Sequence, residues 1–409
     1  MMKKNALKYA MMMMAAMPLH AMAQGTNEGL GGEEGDIKSL YEMVAKHEQK
    51  SKVLNFFINY GASYQMNHDS RSDEWTSRFY NRYLRIEMTG WLTDNLYYRF
   101  RHRLNKANNP SGEDNFAKAT DYMMVGWKFN DHWALQGGKK CQALGAFEFD
   151  ENPLFIYQFS DIEDNVDSSK GAINLLYNPT PDQQFSAEIS NTYNGKLEDE
   201  FGAEAKVANG ENQPVETLEK ANHPLAYSAG WNGKFLDGKL QTRWSYTLRT
   251  QAKHKYSRFL RMGQKLNLDK LQWYLDYNMS YDDLDRMKIA SGEVASMLSE
   301  DESNLYAGKV RYQGWVTKMN WQFAPAWNLM LKGMYETADM TKSEQFKNYR
   351  KAFGYVGSIE YYPARKQQQN LRLFLAYTGR KYDYSKASGL TDYNTDRIEI
   401  GMFYRLKAY

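Results

Sequence analysis

The sequence predicts an all-β fold: a transmembrane antiparallel β-barrel of about sixteen strands. Three features predict it. From Val53 to the C terminus, apolar and polar residues alternate with period two. The connections between these segments alternate short and long, the layout of membrane barrels. Beyond the first 23 residues no run approaches the ~18–20 apolar residues that a membrane helix needs, so a spanning chain must span with strands.

The elements follow in chain order. Residues 1–23 read as a secretory leader. Lys3, Lys4 and Lys8 form its basic start, Ala10 to Met17 its apolar core, and Ala21-Met22-Ala23 its cleavage site. Export is therefore expected, with Gln24 opening the mature chain. Residues 24–52 are expected to be a flexible, Gly- and Glu-rich segment followed by a short periplasmic helix over Ile37 to Lys50, with Leu40, Met43, Val44 and His47 on one side. Residues 53–409 are the predicted barrel.

Charge and cysteine content exclude several function classes. The chain has 52 Lys and Arg against 49 Asp and Glu, and removing the three leader lysines leaves 49 of each. A neutral chain gives no argument for a nucleic-acid partner, so only the placement of charge is informative. Cys141 is the one cysteine, which rules out an intrachain disulfide and a cysteine metal cluster. The seven His show no H-x-x-x-H pair, and no cofactor or metal is expected. Mean hydropathy is −0.74, yet 31 Tyr, 19 Phe and 10 Trp make the chain aromatic-rich. Barrel strands carry little net hydropathy because every second side chain faces water.

The first strand shows the pattern. Leu54, Phe56, Ile58, Tyr60, Ala62, Tyr64 and Met66 alternate with Asn55, Phe57, Asn59, Gly61, Ser63 and Gln65. The alternation recurs in Leu240/Trp244/Tyr246/Leu248, Trp273/Leu275/Tyr277, Tyr355/Gly357/Ile359 and Ile398/Ile400/Met402. Short turns are expected at residues 93–95, 130–132, 178–182, 237–239, 324–326 and 363–367. Long loops are expected near 67–78, 105–120, 141–169, 191–223, 280–304, 336–349 and 380–394, with a shorter one at 250–255. Trp91, Trp127, Trp133, Trp231, Trp315, Trp321, Trp327 and Tyr361 stand near the ends of apolar faces, where amphipathic rings form girdles. A soluble β-sandwich is the competing fold, but it gives no reason for the short/long alternation.

Parity then assigns side chains to lipid or lumen. In Tyr97–Leu104, Arg99, Arg101 and Arg103 share one face and Tyr98, Phe100, His102 and Leu104 the other. A charge facing lipid at midplane costs ~2–4 kcal/mol, so the arginine face is the lumen, where it forms a ladder ~13 Å long. The same parity turns Arg85, Lys128, Lys140, Arg243, Arg249, Arg261, Lys265, Lys318, Lys332, Arg372, Arg380, Arg397 and Arg405 inward. Inward acids are Glu87, Glu188, Asp276, Glu336, Glu360 and Glu399, so the wall is basic by about sixteen to six on this parity. A tube lined by one sign of charge enriches the opposite ion, and arginine's planar fork suits phosphate and carboxylate. Wall cations that pair with acids and only brace the barrel are the competing reading. Few inward acids lie near the ladder in sequence.

The third long loop is too apolar to stand in water. Leu144, Phe147, Phe149, Leu154, Phe155, Ile156, Tyr157 and Phe159 should bury themselves by folding into the barrel and constricting it. Its Phe147, Glu148, Phe149, Asp150 and Tyr157 are the candidate constriction residues, and its acids would face the basic wall. Packing on the rim or at a subunit contact is the alternative.

Several motifs resemble the phosphate-selective porin O and P family. They are Tyr97-Tyr98-Arg99-Phe100-Arg101-His102-Arg103-Leu104, Gly137-Gly138-Lys139-Lys140, Leu144-Gly145-Ala146-Phe147-Glu148-Phe149-Asp150-Glu151-Asn152-Pro153 and the final strand, Ile400 to Tyr409. The resemblance implies a sixteen-stranded outer-membrane porin, a homotrimer with an inward third loop, that passes small anionic solutes by diffusion. It implies that Arg99, Arg101, Arg103 and Lys140 line the anion path. The acidic third loop departs from a strongly phosphate-selective pattern. Two other classes compete: a structural or surface-binding barrel with a plugged lumen, and a barrel hydrolase. The hydrolase lacks a G-x-S-x-G motif and a Ser–His pair on one strand face.

Overall fold

The structure, a computed structural model, describes residues 53–106, 117–211, 213–298, 304–364 and 370–407. The expected leader and the expected helix within 24–52 lie outside the described residues.

Among these residues, sixteen strands close into one barrel. They are β1 (Asn55–Asp69), β2 (Glu74–Trp91), β3 (Leu96–Arg103), β4 (Thr120–Lys128), β5 (Trp133–Cys141), β6 (Ser169–Thr180), β7 (Gln183–Asn191) and β10 (Leu225–Phe235). The remainder are β11 (Leu240–Ala252), β12 (Lys255–Asn267), β13 (Leu271–Asp282), β15 (Val310–Ala324), β16 (Trp327–Met340), β17 (Arg350–Tyr361), β18 (Asn370–Tyr384) and β19 (Tyr393–Lys407). Each pairs antiparallel with its neighbours, and β1 closes on β19 with Tyr64 opposite Ile400. Closure removes the unpaired edges that an open sheet would expose. Three short strands, β8 (Lys206–Ala208), β9 (Glu216–Thr217) and β14 (Leu305–Ala307), form a small sheet within the loops.

The side chains are arranged inside out relative to a soluble protein. Ile173, Leu375 and Ile400 are 62%, 53% and 59% exposed, whereas Arg261, Arg372 and Arg405 are at most 1% exposed. In β1 the buried set is Asn55, Phe57, Asn59, Gly61, Ser63 and Gln65, the inward face that parity assigns. This arrangement is stable only if hydrocarbon covers the outer face. Aromatic pairs stand on that face at both ends. Trp133–Tyr177 (4.4 Å between ring centroids), Trp327–Tyr361 (4.6 Å) and Trp127–Phe129 (4.8 Å) lie beside the short turns. Tyr277–Trp315 (4.6 Å) and Tyr335–Phe353 (5.0 Å) lie towards the long loops.

The structure corrects the first loop. It is a four-residue turn, 70–73, not a long connection over 67–78. Asp69 holds the turn by accepting from Arg71 Nε at 2.9 Å and Nη2 at 2.5 Å, so both strands continue into the polar region. The loop at 250–255 likewise tightens to two residues, with His254 at φ 58°. The loops 192–224 and 283–309 carry structure that the sequence pattern does not announce: the small sheet and a helix over Ile289–Leu298.

Candidate pore and its third loop

The third loop, residues 142–168, leaves β5, enters the barrel and runs along the inner face of β11 to β19. Its turn at Gly145 (φ 65°) lies against β11; a Cβ there would stand 2.9 Å from Ser245 Oγ. Short helical turns follow at Phe147–Asp150 and Asp161–Asp164, with a 3-10 turn at Pro153–Phe155 between them.

Wall carboxylates capture the loop's free amides. Asp276 of β13 accepts from Phe147 N (3.0 Å) and Glu148 N (2.7 Å). Glu336 of β16 accepts from Asp161 N (2.9 Å) and Ile162 N (2.8 Å). A carboxylate at the start of a helical turn satisfies donors that have no intrahelical partner. Wall cations hold the loop's carbonyls. Arg397 Nη2 donates to Tyr157 O (2.6 Å), Lys318 to Phe155 O (3.0 Å) and Lys332 to Gln158 O (2.6 Å). Arg372 donates to Leu154 O.

The loop's acids complete the lattice. Asp150 pairs with Arg243 (2.5 Å), Glu148 with Lys332 (2.6 Å) and Asp161 with Arg350 (2.5 Å). Glu151 pairs with Lys318, Glu163 with Arg261, and Asp161 also with Arg380. Burial alone would raise the Glu148 carboxyl, but Lys332 and Ser160 hold it below its ordinary value. Burial pushes Glu163 up to about 7, against the pull of Arg261. Phe147 and Tyr157 are buried among wall residues Tyr274, Phe374 and Phe403. Phe149 sits half-buried beneath the Arg261 guanidinium at 5.0 Å. Above this layer, the helix Ile289–Leu298 packs Ala290 and Val294 into the same cluster as Leu144 and Ile162.

The candidate wall residues therefore fall into groups. Arg243, Arg261 and Arg372 bind the third loop. Lys140 is buried against Glu188 of β7. It follows Gly138, whose φ of 116° breaks the strand alternation so that Lys139 and Lys140 are both buried. Lys128 lies near the turn end, 3.2 Å from Asp131.

The Arg99/Arg101/Arg103 ladder departs from the sequence expectation that acids are scarce beside it. Arg99 donates to Glu87 at 2.8 Å from the facing strand β2. Arg101 and Arg103 share Asp121 of β4 at 3.1 and 2.8 Å. Tyr122 stacks under Arg99 and Arg101, 4.0 and 4.7 Å from ring centre to guanidinium carbon. Asp121 escapes the parity reading because the expected loop, 105–120, ends at its doorstep. Arg405 of the last strand also reaches Glu87, at 3.4 Å.

Four inward cations have no carboxylate partner within 4 Å among the described residues: Arg85, Arg249, Lys265 and Arg286. Arg85 lies against the Tyr83 ring at 4.8 Å, and its Nε is buried without a hydrogen bond. Arg249 donates to the amide of Gln142 at 2.8 Å. Lys265 stands 5.9 Å from the Phe147 ring, and Arg286 stacks on Phe259 at 5.1 Å. Arg286 belongs to the loop after β13 and has no strand phase to reveal it. Arg82, also unassigned by parity, is the extra residue where the β1–β2 register shifts at Gly61/Ala62. It reaches Glu399 at 2.6 Å and Tyr157 O at 2.8 Å.

The family model for phosphate-selective porin O and P matches residues 55–406. The chain belongs to that family. Among curated proteins, none matches it significantly. Solved structures match its fold at low identity. The outer membrane channel DcaP of Acinetobacter baumannii has a TM-score of 0.56 at 10% identity, over 86% of this chain and 96% of that one. The anion-selective porin from Comamonas acidovorans has a TM-score of 0.52 at 9% identity, over 86% and 99%. The trimer form of OmpT, an outer membrane protein of Vibrio cholerae, has a TM-score of 0.51 at 12% identity, over 87% and 99%. Membership of this porin family makes the chain a channel of the bacterial outer membrane.

Proposed function

We propose that the channel passes small solutes by diffusion and prefers anions, such as phosphate or organic carboxylates. One observation carries this reading. Five of the third-loop acids, Glu148, Asp150, Glu151, Asp161 and Glu163, are engaged by wall cations and only Asp164 has no cation within 4 Å among the described residues, while Arg85, Arg249, Lys265 and Arg286 keep their charges uncompensated by contact. The loop's hydrogen bonds beyond its root fall on β2 and β11 to β19, so the solute path runs between it and the β3–β7 wall. Uncompensated cations in a low-dielectric tube raise the local anion concentration. Arg99, Arg101, Arg103 and Lys140 line that path with near-neutral pairs that order it, and Lys128 marks its turn-side exit. The trimer form of OmpT supports a homotrimer for this chain as well.

A second reading, a barrel plugged by its own loops, draws on the joint burial of the third loop and the Ile289–Leu298 helix. Planar-bilayer recording separates the two. Discrete conductance steps with a reversal potential on the anion side support the proposal. Cation preference contradicts it, and a silent bilayer favours the plug.

A further inference from the structure

On the outer face of β11 to β16, the strand register lines up two rows of lipid-facing residues. The first is Tyr246, Leu260 and Met279, paired across β11, β12 and β13. The second lies two residues nearer the long loops, about 7 Å further along the strands. It runs Arg258, Tyr281, Arg311 and Asp339 across β12, β13, β15 and β16. Lys309 stands at the entry to β15 beside it.

A crevice of about 380 Å³ joins the rows. Tyr246, Leu260 and Met279 form its apolar part, and Tyr281, Arg258, Lys309 and Asp283 its polar part. Asp283 is almost buried and pairs with Lys309 at 2.8 Å. Arg258 lies 3.9 Å from the same carboxylate, beyond hydrogen-bond reach, with 43% of its side chain exposed and its guanidinium 5.8 Å from the Tyr281 ring. Arg311 pairs with Asp339 at 2.5 Å, and its Nε is buried with no acceptor.

These are cations on the lipid-facing phase of a barrel. Near the membrane interface such placement costs only ~0–1 kcal/mol, against ~2–4 kcal/mol at midplane. A guanidinium with free donors beside an ammonium, set directly above an apolar trough, matches one kind of molecule. It has a phosphorylated head and a hydrocarbon tail. Long loops mark this rim as the external one, so the molecule comes from the outer leaflet.

We propose that the crevice binds the phosphate of an anionic outer-leaflet lipid, with Arg258 and Lys309 as direct donors and Arg311 as the neighbouring cation. Its acyl chain lies over Leu260 and Met279. Asp283 is a positioning residue that keeps Lys309 at the rim.

Native mass spectrometry of the detergent-solubilised full chain tests this, using bisphosphorylated lipid A, its dephosphorylated form and inorganic phosphate as probes. The wild type should retain one phosphorylated lipid in preference to the dephosphorylated one. R258Q/K309Q should lower that retention about tenfold, and R258K should restore most of the loss caused by R258Q. K239Q/K270Q, at the opposite rim, should leave it unchanged. Heat-modifiable migration on gels confirms that each variant is a closed barrel. Equal retention by R258Q/K309Q and wild type would overturn the proposal. So would equal binding of the dephosphorylated lipid, or displacement by inorganic phosphate at matched concentration, which would make the site one for free phosphate.

Discussion

The two sides of the lumen use the same residue types for different work. On β2 to β4, Arg99, Arg101 and Arg103 face acids of the wall itself, Glu87 and Asp121. On β11 to β18, Arg243, Arg261, Lys318, Lys332, Arg350 and Arg380 face acids of the third loop. One side is braced internally and the other holds a separate segment. An arginine's presence in a barrel therefore says little about what it does; the source of its counter-charge says more. On the function proposed above, the field available to a solute comes from the cations that neither arrangement satisfies.

The largest effect should come from the loop-holding side. Glu336→Ala removes the acceptor for Asp161 N and Ile162 N and a partner of Arg380. Breaking a buried pair from one side costs about 3–5 kcal/mol, so the thermal unfolding midpoint should drop and open-channel current should become noisy. A quiet current would mean that the loop is held elsewhere.

On the internally braced side, Glu87→Gln together with Asp121→Asn should leave conductance steady. It should raise the anion-to-cation permeability ratio several-fold, because the ladder then stands uncompensated. If the ratio stays flat, the ladder lies off the solute path.

A smaller shift is expected from acidity. Burial holds Glu163 at about 7, above its ordinary carboxylate value. As pH falls from 8 to 6 it takes up a proton and leaves Arg261 uncompensated, so anion preference should rise. Glu163→Gln should remove that dependence. The same raised value means that the deprotonated form destabilises the fold, a penalty that sets in above the unfolded-state value and is complete above about 7. The loop's pose should therefore hold more firmly in mild acid. Smallest of all, exchanging the Lys128–Asp131 pair for Gln and Asn should change neither stability nor selectivity measurably. That pair is largely at the water-exposed turn end, where ion pairs contribute ~0–1 kcal/mol.

Much of this barrel was legible in the sequence because period two is strict wherever one face meets lipid. Tyr64, Ile359 and Ile400 announce their strands, and Arg85, Arg99 and Arg261 announce the lumen by parity alone. The signal fails where the strand itself is irregular. Gly138 turns two successive lysines inward, and the shift at Gly61/Ala62 hides Arg82. It also fails at strand ends: Asp121 and Arg350 sit one or a few residues past the boundaries that alternation marks. Loop residues such as Arg286 carry no phase at all. Charge compensation was the least legible feature, because Arg99 meets Glu87 and Arg261 meets Glu163 only through register and loop trajectory.

On the proposed function, Arg85, Arg249, Lys265 and Arg286 set the selectivity, and the Glu87–Arg99 and Asp121–Arg103 pairs do not. Reversal potentials in a salt gradient test it directly, with the variant R85Q/R249Q/K265Q/R286Q beside the charge-neutral variant E87Q/R99Q/D121N/R103Q. Anion preference should disappear in the first and survive in the second. Preference retained in the first, or lost in the second, would contradict it.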